Sequence, residues 1–435
     1  MLKYNNFYKN FNKDLNDNYL VNQKYLDLSF NNNLSNKIRI GIYTYSIKNG
    51  GRARITSILI NNLNKIKIFE IFLFTKVIKE KNEYIIPESI KRAVIRNNLI
   101  KFLKKYKINS LIYELDDINE INFLTCYKKI KIIFFHHSSN FDWLYEKYSI
   151  FKIIYNSFAN CKYFVSIVPF ENYYLFKKWG IKSIYINDFL TFNYCSIIPS
   201  ELLKNNILLI GRGNAKKKRF HIGILAMEYI IKEISKCELN IISNLTGINN
   251  LINLINNLNL KDNINFVGYT SNPEIFFNNA SLNFFPSISE SFGLVLCETK
   301  IYGIPNIFIG LDYLSITKGG NIIIYDDSSE SLAKESIKLL KDFKKKKVYG
   351  KEARNNIKKF NNEIILNKWL KLILSVFNGD AYYEELRKKD FSIYTNDENI
   401  NIANNQIKLL NFRIKTFENI SIKDYENITF MKNIN

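Results

Sequence analysis

The chain has 435 residues, 47% hydrophobic and 15% aromatic, which is enough for well-packed cores and excludes global disorder. That length exceeds one ordinary core, so two domains are expected. The formal charge of +22, from 62 Lys+Arg against 40 Asp+Glu, admits nucleic acid, an anionic membrane surface or an anionic substrate as partner.

A compositional bias toward Lys, Asn and Ile, residues with A/T-rich codons, accounts for much of that excess. The runs at 101–107, 128–131 and 341–350 read as solvated helix faces and lack the glycine–aromatic patterning of an RNA-binding sheet. Nucleic acid is therefore not an expected partner, whereas peripheral contact with a membrane remains open. No stretch reaches the roughly 18 to 20 apolar residues of a membrane span, and the N-terminal "MLKYNNFYKNFNKDLND" lacks the apolar core of a secretory signal. Five scattered cysteines, without a C-x-x-C pair, argue for a reducing compartment and against a disulfide frame or structural zinc. The expectation is a cytoplasmic protein.

Residues 1–36 are Asn-rich and weakly patterned, and read as an extension. From Lys37 short apolar runs alternate with amphipathic ones. Strands are expected at 37–45, 69–75, 110–115, 131–137, 163–168 and 183–188, with helices at 53–66 and 88–106. The pattern restarts at 206–213, with strands at 238–243, 263–269, 280–286 and 305–310 and a helix at 223–234. Near-continuous apolar strands separated by helices indicate parallel sheets covered on both faces. The expected organisation is an extension (1–36), a first doubly wound α/β domain (37–198), a second (199–378) and a polar tail (379–435). Within the tail, 402–414 reads as an amphipathic helix.

Ligands of open α/β sheets bind beyond the carboxyl ends of the strands. Four features fall there, and each has a plain structural alternative. Gly50-Gly51 lets the backbone approach a ligand ahead of a helix N-terminus, or simply makes a turn. His136-His137 ends a strand and offers a hydrogen-bond donor, or a structural role; no His/Cys/carboxylate cluster suggests a metal. In "GRGNAKKKRF", Arg212 and Lys218 can grip a phosphate pair, while Lys216, Lys217 and Arg219 fit plain solvation better. In "SISESFGLVLCETK", Glu290 precedes a turn and Glu298 lies in the following helix. The two acids are either ligand groups or ordinary helix-capping and surface acids.

In this order the motifs resemble those of a retaining glycosyltransferase of the GT-B fold, in the family-four group. The resemblance spans roughly 37–378 and is strongest in "ILLIGRGNAKKKRF", "FFPSISESFGLVLCETKIYGIPNI" and "LAKESIKLLKD". It implies two Rossmann-like domains facing a central cleft. The first domain would take the acceptor, and the second the nucleotide of a UDP- or GDP-sugar donor. It further implies that Gly50 and Gly51 close over the donor phosphates, although the acid usual two places later is Ala53 here. His137, or His136 if the register shifts by one, would lie beneath the transferred sugar. Arg212 and Lys218 would hold the diphosphate, Glu290 the sugar, the amides of Phe292, Gly293 and Leu294 the sugar and phosphate oxygens, and Glu298 the ribose. "INDF" (186–189) resembles an element whose usual Asn-Gly is altered. No D-x-D triplet occurs, so neither a metal nor another cofactor is expected. The expected function is transfer of a sugar to a glycan or lipid-linked acceptor in polysaccharide or glycoconjugate synthesis. The alternatives are a non-catalytic GT-B-like sugar-nucleotide-binding module and a GT-B sugar-nucleotide epimerase.

Overall fold

The computed structural model describes residues 37–378 apart from 49, 78–82, 96–97, 116, 140–155, 169–171, 174, 178–179, 213–215, 245–246, 271–272, 311–313 and 327. It adds a few positions beyond, at 383–385, 387–388, 404 and 408. The extension read at 1–36, and nearly all of the helix read at 402–414, lie outside the described residues.

The described residues divide into two compact units, one comprising Phe192–Asn361 and the other residues 37–191 together with those from Asn362 on. The described strands of the earlier unit are β1 Ile38–Thr44, β2 Phe69–Thr75, β3 Lys91–Val94, β4 Ser110–Glu114, β5 Lys131–His136, β6 Tyr163–Ser166 and β7 Ser183–Tyr185. They form one parallel sheet in the order β3-β2-β1-β4-β5-β6-β7. Ile40, Ile42, Leu73, Leu111 and Ile133 are fully buried within it, as strands covered on both faces require. The helices are α1 Gly51–Asn64, α2 Leu99–Lys105 and α3 Ile118–Cys126. Strand order reverses between β1 and β4, which makes their carboxyl ends a topological switch point.

Two readings of this unit are corrected. Residues 88–106 are not one helix, because β3 comes first. Its Arg92 forks onto Glu83 at 2.6 and 2.7 Å, and Asn98, left-handed at φ 63°, caps α2 by accepting from Lys101 N. The basic run at 128–131 is a turn entering β5 rather than a helix face.

The other unit contains β8 Asn206–Ile210, β9 Glu238–Ile242, β10 Ile264–Phe266, β11 Leu282–Phe285, β12 Asn306–Ile309 and β13 Asn321–Ile324. They form a parallel sheet ordered β10-β9-β8-β11-β12-β13, with its switch point between β8 and β11. Strand β13, "NIII", adds to the strands expected from the sequence. The helices are α4 Phe220–Glu233, α5 Asn249–Asn257, α6 Glu274–Asn279, α7 Leu294–Ile301, α8 Ser329–Lys341 and α9 Phe343–Ile357. Leu209, Phe284 and Ile307 of the sheet share a core with Phe220, Met227, Leu332 and Leu339. In the basic run of α9, Lys346 is buried while its neighbours are exposed.

The last long helix, α10 Asn362–Asn378, was assigned by its sequence to the second domain, but it packs with the earlier unit. Asn362 accepts from Leu190 N (2.6 Å) and donates to Leu190 O (3.0 Å), and Trp369 meets Phe135 edge-on at 4.9 Å. Beyond it, buried Tyr383 accepts from Phe164 N and donates to Lys182 O. An amphipathic pattern says that a helix has an apolar face, not which sheet receives it.

Candidate functional site

In the later unit the switch point gathers Lys218 and Glu290. Beyond β8 and its Gly211-Arg212 pair the chain makes a tight turn, Lys216–Lys218, before α4. Arg219 takes the left-handed conformation at φ 49° and buries its guanidinium, with Nε donating to Pro286 O at 2.7 Å. Ile288 N donates to Lys217 O at 2.8 Å. These two bonds lash the basic turn to the loop after β11, and Lys218 Nζ closes directly on Glu290 Oε1. Their side chains are 13% and 15% exposed, so the pair is shielded but reachable. Arg219, read as a solvated charge, is thus a buried strut. Arg212 is exposed at the end of β8.

Gly293 lies at φ 84°, a conformation that favours glycine, and caps α7. The helix therefore begins at Leu294, and the amides without an intrahelical acceptor are those of Leu294, Val295 and Leu296. Of the expected amide donors, Gly293 is the cap and Leu294 the first helical residue. Phe292 precedes the helix, with its ring buried against Phe360 at 5.7 Å. Glu298 is the fifth residue of α7, about one turn inside the helix, and is buried. Its neighbours fix the helix in place. Thr299 Oγ1 donates to Asn306 Oδ1 of β12 at 2.8 Å, which Asn283 of β11 also bonds. Buried Lys300 donates to Ile316 O, to Lys318 O (2.7 Å) and to Asn356 Oδ1 (3.0 Å), and burial pushes its ammonium down to about 7.

In the earlier unit, Gly50 caps α1 at φ 125°, ψ 160°, a region open essentially to glycine alone, and Gly51 opens the helix. His136 is the last residue of β5 and His137 follows it directly. The His136 ring packs against Phe158 (5.5 Å) and Phe164 (6.0 Å). His137 rests on Phe135 at 3.8 Å between two acids, with Nε2 3.2 Å from Glu114 Oε1 and Nδ1 3.5 Å from Asp188 Oδ1. Glu114, at the end of β4, also accepts from Thr56 Oγ1, and Arg52 Nε stands 3.8 Å from it. Burial alone would lower the imidazole, but Glu114 and Asp188 outweigh it and push His137 up to about 9. Burial would raise Glu114, yet His137 and then Arg52 hold it below the usual carboxylate range. Sequence reading missed Glu114, Asp188 and Arg52. The available signal was an acid ending the otherwise apolar strand "SLIYEL".

Among the described residues, no group of three or more His, Cys, Asp or Glu is arranged to hold a metal ion, and no helix is long and apolar enough to cross a membrane. None of the five cysteines forms a disulfide.

Residues 198–356 match the family described as glycosyl transferases group 1. The chain is similar to the poly(glycerol-phosphate) alpha-glucosyltransferase of Bacillus subtilis (strain 168), 25% identical over 223 residues. That alignment takes in 49% of this chain and 33% of the relative, so the chain matches about a third of that enzyme's length. In fold it resembles the sucrose-phosphate synthase of Thermosynechococcus elongatus, with TM-score 0.65, 15% identity, and 78% of this chain and 99% of that one covered. It also resembles HepE of Anabaena, solved with UDP and glucose, with TM-score 0.61, 13% identity, and 78% and 99% covered. Residues 198–356 thus match the glycosyl transferases group 1 family, and the two parallel-sheet units have the fold of GT-B glycosyltransferases.

Proposed function

We propose that the chain is a retaining glycosyltransferase that takes a sugar from a UDP- or GDP-sugar and passes it to a glycan or lipid-linked acceptor. The observation that carries this reading is the Lys218–Glu290 pair at the β8/β11 switch point, next to the start of α7. Breaking the anomeric C–O bond builds negative charge on the departing nucleoside diphosphate and positive charge on the sugar. Arg212, Lys218 and the amides opening α7 stabilise the first, while Glu290 and its neighbouring carbonyls orient the second. Glu298 accepts hydrogen bonds from the ribose. Gly50 and Gly51 approach the donor phosphates, and His137 serves the sugar. The leaving phosphate takes the acceptor's proton on the same face, so Glu290 is not a covalent nucleophile. The two cations and the helix terminus supply the charge a divalent ion would otherwise bring, and no metal or cofactor is assigned.

The test is calorimetry and a thermal-shift screen against UDP-, GDP- and ADP-sugars, followed by a transfer assay. The Bacillus subtilis relative's name puts UDP-glucose and a poly(glycerol phosphate) acceptor in the first panel. Arg212→Ala is expected to remove transfer, and Glu298→Ala to weaken donor binding. A wild-type chain that binds no sugar nucleotide overturns the reading. Binding without transfer favours a non-catalytic module, and an epimerised donor without transfer favours an epimerase.

A further inference from the structure

We propose that Glu114 and Asp188 are positioning residues that hold His137 as an imidazolium, a fixed positive charge at the end of β5 rather than a neutral hydrogen-bond donor. Both ring nitrogens face carboxylates, Glu114 at 3.2 Å and Asp188 at 3.5 Å. A neutral imidazole has one N–H and would turn a lone pair toward one of the two anions. All three side chains are at most 8% exposed, so water does little to soften that repulsion.

The charges around the ring add up only if it is protonated. Glu114 on β4 and Asp188 after β7 are the anions facing it. Arg52 of α1, 3.8 Å from Glu114, is one cation, and the imidazolium is the second. Among the described residues, Thr56 donates to Glu114, and Phe135, itself backed by Trp369, covers the ring face. With Nε2–H donated to Glu114 and the Nδ1 side turned to Asp188, His137 acts on a bound substrate by charge. In this it deepens the role proposed above, and it rests on that reading only for its effect on turnover.

The chain contains three histidines, so the imidazoles can be followed individually by NMR of protein labelled with nitrogen-15 at histidine. One imidazole is expected to remain doubly protonated up to about pH 8, and its signal is expected to vanish in His137→Gln. His221, which burial and then Arg219 push down to about 4, titrates far from it. In Glu114→Gln the midpoint is expected to fall by at least about one pH unit. Asp188→Asn is read the same way if the first variant does not fold. The inference is overturned if every imidazole of the folded wild type titrates below pH 7, or if neither substitution moves the His137 midpoint. Where transfer activity is present, its alkaline limb should shift with that midpoint. Absence of transfer beside the expected NMR titration counts against the proposed function and leaves this inference standing.

Discussion

Lys218 and Glu290, 72 residues apart in the chain, meet as a partly buried ion pair because Arg219 and Ile288 lash their two loops together. An ammonium has three protons, so Lys218 can keep Glu290 and still donate to a phosphate. The pair therefore orients the cation as well as neutralising the acid.

Lys218→Met is expected to weaken binding of UDP or GDP about tenfold or more, the loss of a charge-assisted hydrogen bond being about 1.5–3 kcal/mol. Glu290→Gln keeps the lysine charge and should change that affinity by less than about threefold while lowering turnover about a hundredfold or more. Calorimetry and initial rates separate the two effects. Equal losses of affinity in both variants would contradict the division of roles.

Gly50→Ala tests the entry to α1. No atom lies within 4 Å of a Cβ built there, so the substitution meets no clash. The backbone at φ 125°, ψ 160° nevertheless suits glycine alone, and a cost of about 1–3 kcal/mol is expected in urea unfolding. An unchanged midpoint would mean that this turn relaxes freely.

Lys300→Met would strip the donor from Ile316 O, Lys318 O and Asn356 Oδ1 together. Each buried acceptor left unsatisfied costs about 1–3 kcal/mol, so a loss of at least that size is expected in thermal or urea unfolding. Because Lys300 lies two residues from Glu298, donor affinity should fall as well. Full stability in the variant would show that water or a shift of the loop replaces the ammonium.

The His137–Glu114 pair should leave its mark on stability against pH. The folded imidazole, raised from 6.5 to about 9, contributes stability fully below pH 6.5 and loses it as pH climbs through 9. Glu114, held low, contributes above its ordinary value and loses it as pH falls toward its folded one. The stability gap between wild type and His137→Gln should therefore be widest near pH 6 and shrink toward pH 9.5. A gap constant with pH would show that the folded imidazole keeps its ordinary value, and a gap that narrows as pH falls below 6.5 would show that the ring is held neutral in the folded protein.

The alternating apolar runs were enough to place most strands, since a parallel strand buried on both faces leaves an unbroken apolar stretch such as "FEIFLFT" or "NILLI". The motifs around Gly50, His137, Lys218, Glu290 and Glu298 were legible too, because glycines, acids and bases stand out at the ends of such stretches. Strand β3 was hidden inside a run whose apolar spacing suited a helix, and the Arg92–Glu83 fork belongs to contacts that no local pattern records.

What the sequence determined by itself was the kind of fold and the identity of the chemical groups, both of which are local properties of pattern and residue type. Only the tertiary structure decided which groups meet: Lys218 with Glu290, His137 with Glu114 and Asp188, and α10 with the earlier sheet. Those pairings join residues up to 234 positions apart, as Phe135 and Trp369 show. They are set by which strand ends lie side by side and which carboxylates burial forces to find a cation, and neither is written in any short stretch of the chain.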